Sequence, residues 1–100
     1  RGPKLKRAPA AQRQIEGELE KLALYQFFAC PFCIKTRRAM HKFNLPIEKR
    51  SASMGSPHRE ELLKGGGKIQ TPCLRIEKDD GVAWLYESNE IISYLEKRFV

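Results

Sequence analysis

The sequence predicts an α/β fold in which helices flank a mixed four-stranded sheet. An apolar, aromatic run at residues 22–28 has the character of a buried strand, and the segment that follows it carries apolar side chains at helical spacing. Near the C-terminus, Asp79-Asp80-Gly81 is a hairpin signal between two further strand-like runs. One hundred residues suffice for a single domain with a single core.

Residues 1–20 are predicted to form a basic flexible arm that precedes a domain at residues 21–100. The start of the arm combines glycine and proline with basic side chains and has little apolar content. Residues 11–21 are partly helix-forming and predict a short helical lead-in, which Gly17 weakens.

The first strand is expected at residues 22–28, followed by a helix that begins at Pro31. Proline suits the first turn of a helix, where its missing N–H costs no hydrogen bond. Asn44 is a plausible end for this helix, and residues 46–51 predict a second, more exposed strand. The helix is expected to bury one stripe of side chains: Phe32, Thr36, Met40 and Phe43.

A short second helix is predicted next, with Ser56 as its N-cap and Gly65-Gly66-Gly67 as its stop. Two strands follow at residues 73–77 and 82–86, and the second alternates aromatic and aliphatic side chains onto one face. Ser88 is expected to cap the final helix. The apolar stripe of that helix consists of Ile91, Ile92, Leu95 and Phe99.

The formal net charge of +7 belongs mainly to the N-terminal segment. Residues 1–14 hold five basic residues and no acidic ones, and the remainder is only +2. Without a surface that interleaves basic and aromatic side chains, we expect no nucleic-acid partner. The chain starts at Arg1 rather than Met, and a basic arm that followed a membrane segment would lie close to the cytoplasmic side of that membrane.

The candidate reactive residues are Cys30 and Cys33. They form a C-x-x-C pair between the end of a predicted buried strand and the start of a predicted helix. The free N–H groups and the dipole at a helix start favour a thiolate at Cys30, which is the form that attacks disulfides. Cys33, one turn deeper, is able to resolve a mixed disulfide. Two alternatives stay open: a zinc site, for which a second ligand pair is missing, and two unreactive core cysteines.

Three segments together resemble a known family. Residues 29–35 look like the active site of dithiol glutaredoxins, which carry C-P-aromatic-C followed by a basic residue. Residues 70–74 resemble the loop that holds a cis-proline. Residues 86–92 resemble the Glu-Ser turn shared by some glutaredoxins and the N-terminal domain of glutathione transferases. The resemblance covers residues 22–99 and implies a thioredoxin-like fold.

The resemblance implies a glutathione-dependent thiol–disulfide oxidoreductase, with Cys30 as nucleophile and Cys33 as resolving thiol. Glutathione is the implied reductant and co-substrate, and no metal is expected. The implied partners are glutathionylated or disulfide-containing proteins. We expect a monomer, and reactive thiols fit a reducing cytoplasm.

The resemblance also implies a set of glutathione contacts. Lys35 would attract the glycyl carboxylate, and Thr71 would pair its backbone with the cysteinyl part. Glu87 would meet the γ-glutamyl end. The complete implied set is Phe32, Lys35, Thr71, Pro72, Glu87 and Ser88.

Two further interpretations remain open at this point. One is a glutathione-dependent carrier of iron–sulfur clusters, although Pro31 argues against it because such carriers usually have a more open motif. The other is a glutathione transferase N-terminal-like domain, which the Glu87-Ser88 pair favours. The sequence departs from the glutaredoxin pattern at Phe27, because many glutaredoxins have a basic residue three positions before the nucleophile.

Overall fold

A mixed sheet of four strands organises the chain. The structure is a computed structural model that describes residues 2–100, and Arg1, the first residue of the predicted arm, lies outside the described residues. No helix within residues 2–100 is long and apolar enough to cross a membrane. In chain order the elements are α1 (Pro9–Leu19), β1 (Leu22–Gln26), α2 (Pro31–Lys42), β2 (Glu48–Ser51), α3 (Pro57–Gly66), β3 (Cys73–Lys78), β4 (Gly81–Tyr86) and α4 (Ser88–Phe99).

The strand order in the sheet is β2-β1-β3-β4. β1 runs parallel to β2, and β3 is antiparallel to both β1 and β4. A parallel pair needs a crossover, which α2 supplies, whereas β3 and β4 need only a tight turn. That turn ends at Gly81, whose φ of 136° suits glycine. The predicted mixed sheet with flanking helices is therefore confirmed.

Each face of the sheet has its own core. The larger core packs α1, α2 and α4 against one face and includes Leu24, Met40, Leu74 and Leu95. The smaller core lies under α3 on the other face. It is formed by Ala23, Tyr25, Ala52, Leu62 and Cys73, with Phe27, Ile69, Trp84 and Tyr86 packed against it.

The segment before α1 is held against the domain in the structure. The Leu5 N–H donates to the Lys42 carbonyl at 2.9 Å, and the Asn44 side chain donates to the Leu5 carbonyl at 3.1 Å. The Arg7 guanidinium donates to the Phe99 carbonyl at 3.0 Å. Composition predicts a flexible arm because it does not show these partners, which are distant in sequence: the Lys42 and Phe99 carbonyls and the Asn44 side chain. The helical lead-in is present as α1, which continues through Gly17.

The glycine run does not stop α3 where the sequence predicts. The helix includes Gly65 and Gly66, and only Gly67, with φ 93°, forms its left-handed C-cap. A Cβ on Gly65 or Gly66 would lie 2.1 Å from the Trp84 ring or the Tyr86 hydroxyl, respectively. The two glycines are therefore interior residues that let α3 approach β4.

Candidate functional site

The C-x-x-C pair lies at the start of α2, just after the turn that follows β1. Cys30 is the N-cap of α2, with extended backbone at φ −68° and ψ 125°. The Cys30 N–H donates to the Phe27 carbonyl at 3.4 Å, and the Cys30 carbonyl accepts from the Ile34 N–H at 2.8 Å. Both cysteines are free thiols. Because Cys30 precedes the first helical turn, the N–H groups of Phe32 and Cys33 have no partner within the helix and lie close to its sulfur.

The surroundings of Cys30 favour its thiolate. Burial opposes ionisation, but hydrogen bonds from the backbone N–H of Cys33, the Cys33 thiol, the Phe32 N–H and the Thr71 side chain outweigh it. Together they lower the pKa of Cys30 below its ordinary value. Cys30 is also partly exposed. An accessible thiol that ionises readily is the form needed for a nucleophile.

Cys33 differs from Cys30 in both its burial and the direction in which its pKa is shifted. It is fully buried, and this burial raises its pKa, although the nearby Thr71 side chain and the Phe27 N–H oppose the effect. The neighbouring Cys30 raises it further. The arrangement therefore separates an ionisable outer thiol from a protonated inner one.

Arg37 holds the segment that precedes Cys30. Its guanidinium donates to the Gln26 side chain at 2.6 Å and to the Phe28 carbonyl at 2.7 Å, with a longer contact of 3.5 Å to the Phe27 carbonyl. It also lies 5.3 Å from the centre of the Phe28 ring. Arg37 thereby fixes the backbone that supplies the N–H of Phe27 to Cys33.

The predicted strand over residues 22–28 ends early, at Gln26. Phe28, expected to be buried, is 83% exposed, and Phe32 is 61% exposed. The turn that brings the chain from β1 to α2 directs Phe28 outward. Phe32, predicted in the buried stripe of α2, is instead exposed in the first turn of that helix. Two aromatic side chains consequently flank Cys30 at the surface.

A groove of about 560 Å³ between the starts of α2 and α4 brings together all six side chains that the resemblance assigns to glutathione. We call it the α2–α4 groove. Cys30 adjoins it through Thr71, whose side chain lies beside the Cys30 sulfur and lowers the pKa of that thiol. The groove is lined by Phe32, Lys35, Gln70, Thr71, Pro72, Glu87, Ser88, Asn89 and Glu90.

Thr71 contributes both its backbone and its side chain to this groove. The peptide bond between Thr71 and Pro72 is cis, and Pro72 is buried. Thr71 lies outside the helices and strands. Within residues 2–100, neither its N–H nor its carbonyl hydrogen-bonds to another backbone group. Both groups are therefore available to pair with an extended ligand, in the manner of an added strand.

Two side-chain pairs that the sequence did not reveal cross the groove. Gln70 donates to the Glu87 carboxylate at 3.1 Å, and the Lys35 ammonium donates to the Asn89 side chain at 2.5 Å. Glu87 has φ 74° and ψ 120°, a conformation that costs a non-glycine residue on the order of 1–3 kcal/mol. Strained backbone of this kind is concentrated at functional sites, and here it directs an acidic residue to the groove.

Ser88 is the first residue of α4 rather than its cap. The N-cap is Glu87, and no side chain caps the helix. The prediction of a serine cap was wrong because the strained Glu87 turn shifts the helix start by one residue. The first-turn N–H groups of Ser88 and its successors are thus left for a ligand, and a helix N-terminus binds carboxylates well.

Cys73, the third cysteine, belongs to the smaller core. It is fully buried at the start of β3, and this burial raises its pKa to about 11, although the neighbouring Tyr86 hydroxyl and Lys68 oppose the effect. The Tyr86 hydroxyl donates to the Lys68 carbonyl at 2.9 Å. Within residues 2–100, no group of three or more His, Cys, Asp or Glu side chains is arranged to hold a metal ion.

The chain is similar to proteins of the glutathione transferase superfamily. The sequence profile of the family described as "Glutathione S-transferase, N-terminal domain" matches residues 24–100. Prostaglandin E synthase 2 of Mus musculus is 32% identical over 91 residues. That alignment covers 91% of this chain but only 23% of the relative, so the chain spans about a quarter of its length.

Two solved structures share the fold. Maleylacetoacetate isomerase from Anaeromyxobacter dehalogenans, solved with dicarboxyethyl glutathione and citrate in its active site, superposes with a TM-score of 0.61 at 23% identity, over 79% of this chain and 37% of the isomerase. Oxidized glutaredoxin 2 from Chlamydomonas reinhardtii gives a TM-score of 0.56 at 17% identity, over 88% of this chain and 84% of the glutaredoxin. The fold is thioredoxin-like, and the chain belongs to the glutathione S-transferase N-terminal domain family.

Proposed function

We propose that this domain is a glutathione-dependent thiol–disulfide oxidoreductase. The observation that carries the proposal is the Cys30 thiol, whose pKa is lowered at the start of α2 and which adjoins the α2–α4 groove through Thr71. A reactive thiol beside a groove with both acidic and basic side chains suits a small zwitterionic peptide. Glutathione has two carboxylates and one ammonium group, and the groove offers a partner for each.

Each part of glutathione has a matching group in the groove. The glycyl carboxylate would bind the Lys35 ammonium, and the backbone of Thr71 would pair with the cysteinyl residue. The γ-glutamyl carboxylate would accept from the free N–H groups at Ser88, while Glu87 receives the ammonium. In this orientation the sulfur of glutathione faces Cys30, because Thr71 contacts both the ligand backbone and that thiol.

The main reaction is the removal of glutathione from a protein. The Cys30 thiolate attacks the glutathionyl sulfur of a mixed disulfide, forming a new S–S bond as the old one breaks. The protein sulfur leaves as a thiolate and takes a proton from solvent. A second glutathione thiolate then attacks the glutathionyl sulfur on Cys30, which releases glutathione disulfide and regenerates the Cys30 thiolate.

Cys33 allows a second route for protein disulfides. After Cys30 attacks a protein disulfide, the Cys33 thiol loses its proton and attacks the Cys30 sulfur, releasing the fully reduced protein. The product is a Cys30–Cys33 disulfide, which two glutathione molecules reduce. Because burial raises the pKa of Cys33, the Cys33 thiol is protonated at neutral pH and has to lose its proton before it attacks.

A second candidate function is that of the thiol-bearing domain in a longer glutathione-dependent isomerase or synthase. It is favoured by the 32% identity to prostaglandin E synthase 2, of which this chain would correspond to one part. In that case Cys30 or its bound glutathione would act on a small substrate held partly by further domains.

An activity comparison separates the two candidates. The purified domain is assayed for reduction of a protein–glutathione mixed disulfide by glutathione with a recycling reductase, and for glutathione addition to an electrophile. We expect turnover in the first assay and none above the uncatalysed rate in the second. Conjugation or isomerisation without disulfide reduction would contradict the proposal.

A further inference from the structure

Arg7 lies where the C-terminal ends of α2 and α4 meet. Its guanidinium donates to the carbonyl of Phe99, the last residue of α4, at 3.0 Å. It also donates to the carbonyl of Asn44, two residues beyond the end of α2, at 3.3 Å. Gln12 supports this arrangement, because its side chain accepts from Arg7 at 2.9 Å and donates to the Asn44 carbonyl at 3.0 Å. One side chain therefore joins the ends of two helices.

The charge and shape of Arg7 suit this position. The C-terminal end of a helix carries a partial negative charge, and its last carbonyls have no partner within the helix. Within residues 2–100, no carboxylate forms a salt bridge with Arg7, so its N–H groups are left for these carbonyls and Gln12. A guanidinium is planar and presents its donors in a fixed fork. Bonds from one such group to two carbonyls therefore fix the distance between the two helix ends.

The same two helices form the α2–α4 groove at their opposite ends. Each helix has 12 residues and is about 18 Å long. At the groove, the Lys35 ammonium of α2 donates to the Asn89 side chain of α4 at 2.5 Å. The helix pair is therefore linked at both ends, by Arg7 at the C-terminal ends and by Lys35 at the N-terminal ends.

We propose that Arg7 is a positioning residue for the α2–α4 groove. This inference rests on the proposed function and concerns the same site. α2 and α4 pack against each other in the larger core, and a close-packed interior transmits a displacement rather than absorbing it. When the C-terminal ends separate, the helices rotate about their contact, and the spacing between their N-terminal ends changes as well.

The link at Arg7 matters most when glutathione is bound. In the proposed complex the ligand contacts Lys35 on α2 and the N–H groups at Ser88 on α4, so its affinity depends on the spacing of the two helices. The glycyl carboxylate then takes the ammonium that otherwise donates to Asn89. Arg7 lies at the far end of the helices and takes no part in binding, so its link stays in place while the ligand replaces the other one.

The test is the variant Arg7→Gln, whose shorter, uncharged side chain cannot reproduce the guanidinium fork. We expect the Kd for glutathione, measured by calorimetric titration, to rise about fivefold, which is roughly the effect of losing one hydrogen bond to the ligand. The KM for the small cysteine–glutathione disulfide should rise by the same factor. Arg7→Lys keeps the charge but not the fork, so its values should lie between those of Arg7→Gln and the unmodified domain.

The pKa of Cys30 provides a readout that positioning should not move. The groups that lower this pKa lie in the first turn of α2 and at Thr71, far from Arg7. The midpoint of Cys30 alkylation against pH, measured in a Cys33→Ser background, should therefore be the same with and without Arg7→Gln. A shifted midpoint would show that Arg7 acts on the fold as a whole and would overturn the proposal.

Two controls separate positioning from net charge and from stability. Arg13→Gln removes the same charge from α1 and should leave the Kd for glutathione unchanged. Ile76→Val lowers stability through a small cavity in the larger core and should also leave the Kd unchanged. All variants are compared at a temperature at which each is fully folded.

The outcomes distinguish this inference from the proposed function. If Arg7→Gln binds glutathione as tightly as the unmodified domain, or if either control weakens binding equally, the positioning proposal is wrong and the proposed function stands. If the unmodified domain neither binds glutathione nor turns over the small disulfide, the proposed function is wrong and the positioning proposal fails with it.

Discussion

The side chain of Thr71 lies beside the sulfur of Cys30 and lowers the pKa of that thiol, which links the loop before β3 to the start of α2. The same side chain reaches Cys33. Thr71 also lines the α2–α4 groove. A single residue therefore connects both thiols to the surface on which we propose that glutathione binds.

Replacing Thr71 by Val should raise the pKa of Cys30. The hydroxyl stabilises the thiolate, and losing one hydrogen bond of about 1 kcal/mol corresponds to somewhat less than one pKa unit. The measurement is the pH dependence of Cys30 alkylation in a Cys33→Ser background. The midpoint should move to higher pH, so that reactivity at a fixed acidic pH falls.

The control for this prediction is Thr71→Ser, which keeps the hydroxyl and should keep the midpoint. An unchanged midpoint in Thr71→Val would show that the hydroxyl does not act on Cys30.

Replacing Arg37 by Met should raise the pKa of Cys33. The guanidinium fixes residues 26–28, and a looser segment would weaken the hydrogen bond from the Phe27 N–H to the Cys33 sulfur. We expect a rise of about half a unit, measured by alkylation against pH in a Cys30→Ser background.

Arg38→Met is the matched control, because it removes the same charge from the adjacent residue. Arg37→Lys should raise the pKa of Cys33 by less than Arg37→Met does, because lysine keeps the positive charge. Equal shifts in Arg37→Met and Arg38→Met would mean that net charge, rather than the position of the segment, controls Cys33.

Replacing Glu87 by Gln should weaken glutathione binding about tenfold. The change keeps the size of the side chain but removes the negative charge proposed to receive the ammonium group, and a charge-assisted hydrogen bond contributes roughly 1.5–3 kcal/mol. Calorimetric titration with glutathione measures the effect. Glu96→Gln, at the other end of α4, should bind glutathione normally. If Glu87→Gln also binds normally, the ligand orientation in the groove must be revised.

Replacing Gly65 by Ala should destabilise the fold by roughly 1–3 kcal/mol, because the added Cβ would lie 2.1 Å from the Trp84 ring. Denaturant unfolding measures this. Gly17→Ala is the control, since its Cβ would meet no atom within 4 Å and alanine favours a helix interior by about 0.5–1 kcal/mol. A stable Gly65→Ala variant would show that α3 and β4 can separate at little cost.

The sequence predicted the fold well because its signals were local. Period-two and period-3.6 patterns, Pro31 and Pro57 at helix starts, and the Asp79-Asp80-Gly81 turn all act within a few residues. The predictions that failed depended on tertiary contacts. Gly65 and Gly66 continue α3 because β4 packs against them, and Phe28 is exposed because the turn into α2 directs it outward.

The residues of the candidate site could be predicted where they lie within short sequence motifs. Six of the nine residues that line the α2–α4 groove were named from three such segments. Gln70, Asn89 and the role of Arg37 were not, because each acts through a partner distant in the chain or through the backbone of another segment. The positive φ of Glu87 likewise has no sequence signal, since the residue is not glycine.

The most direct test of the account is the turnover of a protein–glutathione mixed disulfide by the single-cysteine variants Cys30→Ser and Cys33→Ser, with glutathione and a recycling reductase. The account predicts that Cys30→Ser loses turnover, because no other thiol combines exposure with a lowered pKa. It predicts that Cys33→Ser retains turnover of this substrate, because the glutathione route does not need a resolving thiol. Equal turnover in the unmodified domain and in Cys30→Ser would contradict the account.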